Sequence, residues 1–179
     1  MKKLFMHLSL VVLTIFLLAG CSGSKNQGAQ KIKLSKQFRL NDITFNLQQT
    51  RVSKIVYHTE EEMKKLLSDK ITELLKEKNL LSDDESMNVV KIHADYMRTY
   101  VGDGSPASTD SLRYPEFGYK IEVSNDSSIL RNVEKNGLSF QGGMVMNLQI
   151  IGATLRSKEH EVKFINSLAN GIVKSIEKL

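Results

Sequence analysis

The sequence predicts an α+β fold, a two-layer sandwich of a mostly antiparallel sheet with two amphipathic helices on one face. Three observations carry that prediction. Apolar residues recur at helical spacing in two places: Met63, Leu66, Leu67, Ile71, Leu74 and Leu75, then Val162, Ile165, Leu168, Ala169, Ile172, Val173 and Ile176. The segments before and between them alternate apolar and polar residues with period two. The resulting order is strand, helix, strands, helix, and two singly striped helices bury most simply against one sheet face.

Ile43, Phe45 and Leu47 alternate with Thr44 and Asn46, and β-forming residues continue from Val52 to Tyr57. One strand is therefore expected over Asn41–His58, bent or interrupted near Gln48–Thr50. Thr59-Glu60-Glu61-Glu62 reads as a helix start. The Thr59 hydroxyl can accept from a first-turn amide, Glu62 can reach back, and all three acids suit the positive end of the helix dipole. That helix is expected to run to Lys78, with Asn79 as its C-terminal cap. An acidic turn follows at Ser82–Ser86.

Val90, Ile92, Ala94, Tyr96 and Tyr100 share one face of the next extended segment, with Lys91, His93, Asp95 and Thr99 on the other. Gly102 to Ser111 is a loop by composition. Phe117, Tyr119, Ile121 and Val123 alternate again. Ser124–Ser127 turns the chain, Ile129–Val133 returns as a hairpin partner, and Asn136-Gly137 marks a further turn. Met144, Met146, Leu148 and Ile150 read as a strand face, although Gly142, Gly143 and Gly152 weaken that assignment, and the Met144/Met146 pair reads as core packing or, less plainly, as a softened binding surface. Ser157 caps the last helix, with Glu159 and Glu161 in its first turn and Lys174 and Lys178 toward its end.

The chain opens with Met1-Lys2-Lys3, an apolar run from Leu8 to Leu18, and Leu18-Ala19-Gly20-Cys21. A charged start, a short apolar core and small residues before a cleavage point form a secretory signal. The stretch Leu4–Gly20, about 17 residues, is at the low edge of what spans a bilayer, and His7, Ser9 and Thr14 interrupt it. Leu18-Ala19-Gly20-Cys21 resembles the lipobox of bacterial lipoproteins. The resemblance implies a diacylglyceryl group on the Cys21 thiol, cleavage between Gly20 and Cys21, and an acyl chain such as palmitate on the new amine. The competing reading is an ordinary signal peptide followed by a free or buried cysteine. Cys21 is the only cysteine, so an intramolecular disulfide is impossible. By the sorting scheme of Gram-negative lipoproteins, Ser22 implies the periplasmic side of the outer membrane rather than the inner membrane. In a Gram-positive host the same anchor would sit on the outer face of the single membrane.

The expected organisation is a cleaved signal over residues 1–20, a lipid-anchored flexible tether over 21–37, and one α+β domain over 38–179. The tether is rich in Ser, Gly, Lys, Asn and Gln, and a coil of that length reaches roughly 20 Å on average. The formal charge of +5 falls to +3 once Lys2 and Lys3 are removed with the signal. So mild a balance, with no basic patch interleaved with aromatics and no helix-turn-helix, zinc-finger or RNP pattern, argues against nucleic-acid binding. Lys31, Lys33, Lys36 and Arg39 read as a solvated basic tether or as a contact with anionic head groups.

Nothing in the remaining chain has the spacing of an active site. His58, His93 and His160 are separated beyond ligand spacing, and each reads as a surface histidine. Asp95, Asp103 and Asp110 bracket the 102–111 loop but lack the alternating ligands of an EF-hand. Gly142-Gly143 lacks the strand and helix context of a phosphate cradle. Arg98 with Tyr96 and Tyr100 reads either as an exposed cation–aromatic patch or, more plainly, as two tyrosines facing inward. No catalytic residue, metal site or cofactor is expected.

The layout resembles small Gram-negative envelope lipoproteins, the YajG type and the auxiliary lipoproteins of ABC-type transport systems. The shared points are the Leu18–Cys21 lipobox, a first strand near Ile43–Leu47, the Thr59–Lys78 helix and the closing helix near Ser157–Lys178. Only Cys21 is carried across as a functional residue. Anchor, single domain and missing reactive cluster together predict an outer-membrane lipoprotein that acts non-enzymatically, as an accessory or interaction module for another envelope protein. Two other readings stand beside it. One is a lipid or amphiphile carrier with a cavity between helices and sheet; the other is an envelope hydrolase with dispersed residues, seeded by His93 and Asp95.

Overall fold

Residues 34–179 are described by the computed structural model. The signal, Gly20, Cys21 and most of the tether lie outside them. Strand β1 (Phe38–Gln49) is followed by helix α1 (Glu60–Glu77), strands β2 (Asn88–Arg98), β3 (Glu116–Ser124) and β4 (Ile129–Ser139), and helices α2 (Met144–Ile151) and α3 (Lys158–Ile176). The four strands form one sheet in the order β1-β2-β3-β4. Only β1 and β2 are parallel, because α1 carries the chain back between them; β3 and β4 follow as antiparallel neighbours.

The predicted fold class is the observed one. Helix α1 buries Met63, Leu67, Ile71, Leu74 and Leu75, and α3 buries Phe164, Ile165, Leu168, Ala169, Ile172, Val173 and Ile176. Both stripes join one core with Ile43 and Phe45 of β1, Val90 to Tyr96 of β2 and Tyr119 to Val123 of β3. The two long helices run in the same direction. Lys158 meets Glu62 at 2.9 Å where they start, and Lys78 meets Glu177 at 2.7 Å where they end. Such exposed pairs contribute little to stability, so the apolar stripes hold the layer together.

The ends of α1 follow their sequence signals. Thr59 accepts from the Glu62 amide at 3.2 Å, and the Glu62 carboxylate accepts from the Thr59 amide at 2.8 Å. At the other end Asn79 adopts φ 53°. Its N–H bonds Lys76 O and that of Leu80 bonds Leu75 O, the paired closure of a Schellman motif.

Three expectations are corrected. The strand expected over Asn41–His58 begins earlier and stops at Gln49. A bulge at Asn41 shifts the inward positions from Phe38 and Leu40 to Ile43, Phe45 and Leu47, which explains the change of parity in the sequence. Beyond Gln49 the β-formers Val52 and Val56 have no strand to pair with and point to solvent. Second, Asn136-Gly137 is not a turn but lies within β4, which runs on to Ser139. One extra residue there faces Gly118, and Gly137 takes φ 62° to absorb it. Third, Met144–Ile151 is a helix and not a strand, and it buries no residue completely. With six of eight positions apolar, period two and period 3.6 fit equally well, and Gly143 and Gly152 serve as its two caps.

The sheet has two distinct ends. The incoming chain is docked at one, where Ser35 and Asn88 exchange hydrogen bonds beside the start of β1 and the β3–β4 turn. The opposite end gathers the 50–59 and 101–115 loops, α2 and the first turns of α1 and α3. Twelve residues of β1 separate the two ends, about 40 Å.

Candidate functional site

Four groups of side chains bear on function, and three of them sit at the end of the sheet away from the entering chain. The exception is the open sheet face. Thr44 and His93 are register partners on β1 and β2, so the Thr44 hydroxyl comes within 2.7 Å of His93 Nδ1. Two residues along β2, Asp95 Oδ2 lies 3.3 Å from His93 Nε2, and its other oxygen accepts from Asn46 at 2.9 Å. Hydroxyl, imidazole and carboxylate thus line up as the hydrolase reading requires. However, the ring and the carboxylate are each half-exposed to bulk water. The dry, preorganised setting that gives such a trio its catalytic power is missing.

The aspartates of the 102–111 loop are engaged by an arginine that sequence reasoning passed over. Arg51 Nε lies 3.3 Å from Asp103 and its Nη1 3.0 Å from Asp110, while the remaining nitrogen donates to Thr109 O. Asp103 also accepts from the Tyr100 amide at 2.7 Å. Asp95 lies apart from them on β2. Among the described residues no group of three or more His, Cys, Asp or Glu side chains can hold a metal ion.

The third group lies under the same end. Arg98 is 5% exposed and Glu161 is 0% exposed. Arg98 Nε donates to Glu161 Oε1 at 2.7 Å, and its other nitrogens reach Gln49 Oε1 and His58 O. Glu161 Oε2 accepts from the His58 amide at 2.9 Å and faces His58 Nδ1 at 3.1 Å. His58 is therefore not a surface residue, Arg98 forms no exposed patch, and Glu161 serves as a buried partner besides its place in the first turn of α3. Burial pushes the Tyr96 phenol well above its ordinary range, and the Glu161 carboxylate adds to that. Tyr57 is pushed up to about 12 by burial first, then by Tyr100, Glu161 and Asp110. The cluster offers no access to a substrate, and its chemistry is structural. It was legible in part: Arg98 falls on the inward parity of Val90–Tyr96, and Glu161 lies four residues before Ile165 on the apolar stripe.

The fourth group is α2. Met146 and Ile150 pack against the core, and the Tyr114 hydroxyl donates to Asn147 Oδ1. Tyr114, Phe140 and Phe164 form an aromatic cluster that anchors this region, with ring centres 5.0 to 6.3 Å apart. The other side of the helix is bare. Met144 is 79%, Leu148 57% and Ile151 78% exposed. The Met144–Met146 pair is thus split, with Met146 partly buried and Met144 in solvent. No charged residue occurs between Lys135 and Arg156.

The space in which a carrier would hold an acyl chain is filled. Met63, Leu67, Ile92, Ile121, Phe164 and Leu168, all fully buried, occupy the seam between helices and sheet.

No protein-family model matches the chain, and no curated protein matches it significantly. Among solved structures the chain is similar to a minor lipoprotein from Acinetobacter baumannii, with 14% identity, a TM-score of 0.40, and coverage of 76% of this chain and 92% of that one. The rare lipoprotein B from Shewanella oneidensis gives 12% identity and a TM-score of 0.37 over 77% of this chain and 95% of its own. A Helicobacter pylori protein provisionally assigned as a neuraminyllactose-binding hemagglutinin homolog gives 9% identity and a TM-score of 0.45 over 80% of this chain and 82% of its own. At these values the likenesses establish neither family nor activity.

Proposed function

We propose that the protein is a non-enzymatic interaction module of the bacterial cell envelope, lipid-anchored through Cys21 to the periplasmic side of the outer membrane. The observation that carries the interaction role is α2. A short helix that buries no residue completely and holds Met144, Leu148 and Ile151 out in water is costly for a free protein, and such patches mark contact surfaces. Its occupant is a protein surface that is itself apolar and uncharged, because the stretch between Lys135 and Arg156 has no charge to complement. The patch stands at the end of the domain opposite Ser35 and the start of β1. Support for the anchor is the Leu18–Cys21 sequence.

A photoreactive residue at Leu148, in the full chain and in native envelopes, tests the reading. The expected result is one discrete protein adduct that is absent with the photoprobe at Ile129 and lost when Ile151→Glu is added. Adducts with lipid alone, or the same adducts from Ile129, overturn it. Intact-mass analysis of the mature chain tests the anchor: an acylated N-terminal Cys21 is expected, and an unmodified chain starting elsewhere refutes it.

A further inference from the structure

Beside the 50–59 loop lies a cleft of about 410 Å³, lined among others by Arg51, Lys54, Ser108, Thr109, Asp110 and Arg156. Three cations and two hydroxyl residues face one carboxylate there. That carboxylate is already occupied, since Asp110 Oδ1 lies 3.0 Å from Arg51 Nη1. Burial pushes the Asp110 carboxyl upward, yet the Arg51 guanidinium, with the neighbouring polar groups of Lys54 and Ser53, holds it below the usual carboxylate range. Arg51 in turn is committed to Asp103, Asp110 and Thr109 O, and it serves as the wall of the cleft.

Lys54 and Arg156 remain. Among the described residues neither forms an ion pair within 4.0 Å. Arg156 Nε is fixed by donation to Ala153 O at 3.0 Å, which orients the guanidinium and leaves its terminal nitrogens uncommitted. A planar fork beside a compact ammonium, with hydroxyls between, is donor chemistry suited to tetrahedral oxyanions. The same charges exclude a metal cation.

We propose that this cleft binds phosphate-class oxyanions, with Lys54 and Arg156 as the primary charge partners and Ser108 as an added hydrogen-bond donor. The volume is in the range of small-ligand sites. Ile55 supplies the one apolar side chain of the lining. The oxyanion has two sources, the head group of an anionic phospholipid or a soluble phosphate ester. The site is separate from the α2 contact surface, and its test does not depend on that reading.

The experiment is amide chemical-shift mapping of the full chain in neutral detergent. One arm titrates inorganic phosphate into the millimolar range. The other adds phosphatidylglycerol to the micelles, with phosphatidylcholine as control. Shifts at Lys54, Ser108, Thr109 and Arg156 with inorganic phosphate support the site and a soluble source. Shifts at those amides with phosphatidylglycerol, but with neither phosphatidylcholine nor inorganic phosphate, support the site and a lipid source. Lys54→Gln and Arg156→Gln each weaken the response roughly tenfold, the loss expected for one charge-assisted hydrogen bond. Both side chains are exposed, so the variants keep the fold. No shift at these amides in either arm, or an affinity unchanged in both variants, overturns the proposal.

Discussion

Arg98 Nε lies 2.7 Å from Glu161 Oε1, joining the end of β2 to the first turn of α3 across 63 residues of sequence. Both side chains are withdrawn from solvent, and every nitrogen of the guanidinium has an acceptor. Among the described residues no buried side-chain nitrogen or oxygen is left without a partner.

Removing one member therefore strands the other. Glu161→Gln is expected to destabilise the fold by about 3–5 kcal/mol, the usual cost of an uncompensated buried charge. Arg98→Met with Glu161→Leu recovers part of that loss, although the His58 amide still lacks its acceptor. Urea denaturation of the three chains measures this. A single-variant loss below about 1 kcal/mol, typical of exposed pairs, would show that water reaches the site.

Alkaline stability follows from the tyrosines. The folded state holds Tyr57 up to about 12 and pushes Tyr96 and Tyr100 upward as well, burial being the leading cause in each. A raised folded value means that the stabilisation is complete below the unfolded value near 10 and disappears as pH climbs through the folded value. Phenolate absorbance of these three is expected to rise together with loss of the fold above pH 10. Their ionisation below that, with circular dichroism unchanged, would contradict the buried placement.

Thr59→Ala removes one half of the capping box and is expected to cost about 1 kcal/mol. Acid acts on the other half. The Glu62 carboxyl is held below its ordinary range by the hydrogen bond from Lys158 and then by the Thr59 amide. Its contribution is present above the ordinary carboxylate range and fades as pH falls through the lowered value. The Thr59→Ala penalty persists at neutral pH, whereas that of Glu62→Gln shrinks in acid; equal penalties at both would refute the assignment.

Gly118 and Gly137 face each other at the β3–β4 bulge for different reasons. A β-carbon on Gly118 would stand 2.7 Å from Asn136 Oδ1 and 3.0 Å from Lys135 O. At Gly137 space is open, but φ is 62°. Gly137→Asn is expected to be tolerated better than Gly137→Val, because Asn visits the left-handed region at low cost. Gly118→Ala is expected to cost about 1–3 kcal/mol by overpacking. Thermal melts distinguish the two, and a harmless Gly118→Val would refute the close approach.

Leu148→Gln and Ile151→Gln alter only solvent-facing atoms of α2, so stability should move by no more than about 0.5 kcal/mol. The same changes should suppress the protein adduct formed by a photoreactive residue placed at Met144, on the same exposed face, in native envelopes. A large drop in melting temperature would mean that α2 packs inward in solution.

Much of the fold was readable because its signals are local. A capping box, a Schellman ending and a stripe at period 3.6 all lie within a few residues of one another, and so Thr59, Asn79 and the α3 stripe behave as their neighbours dictate. The strand faces from Val90 to Tyr96 and from Phe117 to Val123 were equally clear from alternation. Where local pattern was degenerate, it failed. The Met144–Ile151 run is too uniformly apolar to state a period, and Val52–Val56 has β-formers without a neighbouring strand.

The sequence by itself determined the α+β class, both long helices and the faces they bury. It also holds the Leu18–Cys21 motif, which lies outside the described residues. Only the tertiary structure decided that Arg98, Glu161 and His58 meet in the core, that Arg51 gathers Asp103 and Asp110, and that α2 stands uncovered. The physical reason is range. Helix caps and amphipathic periods are energetic choices made within one or two turns, whereas ion partners 63 residues apart are chosen by which strand and helix the packed core brings together.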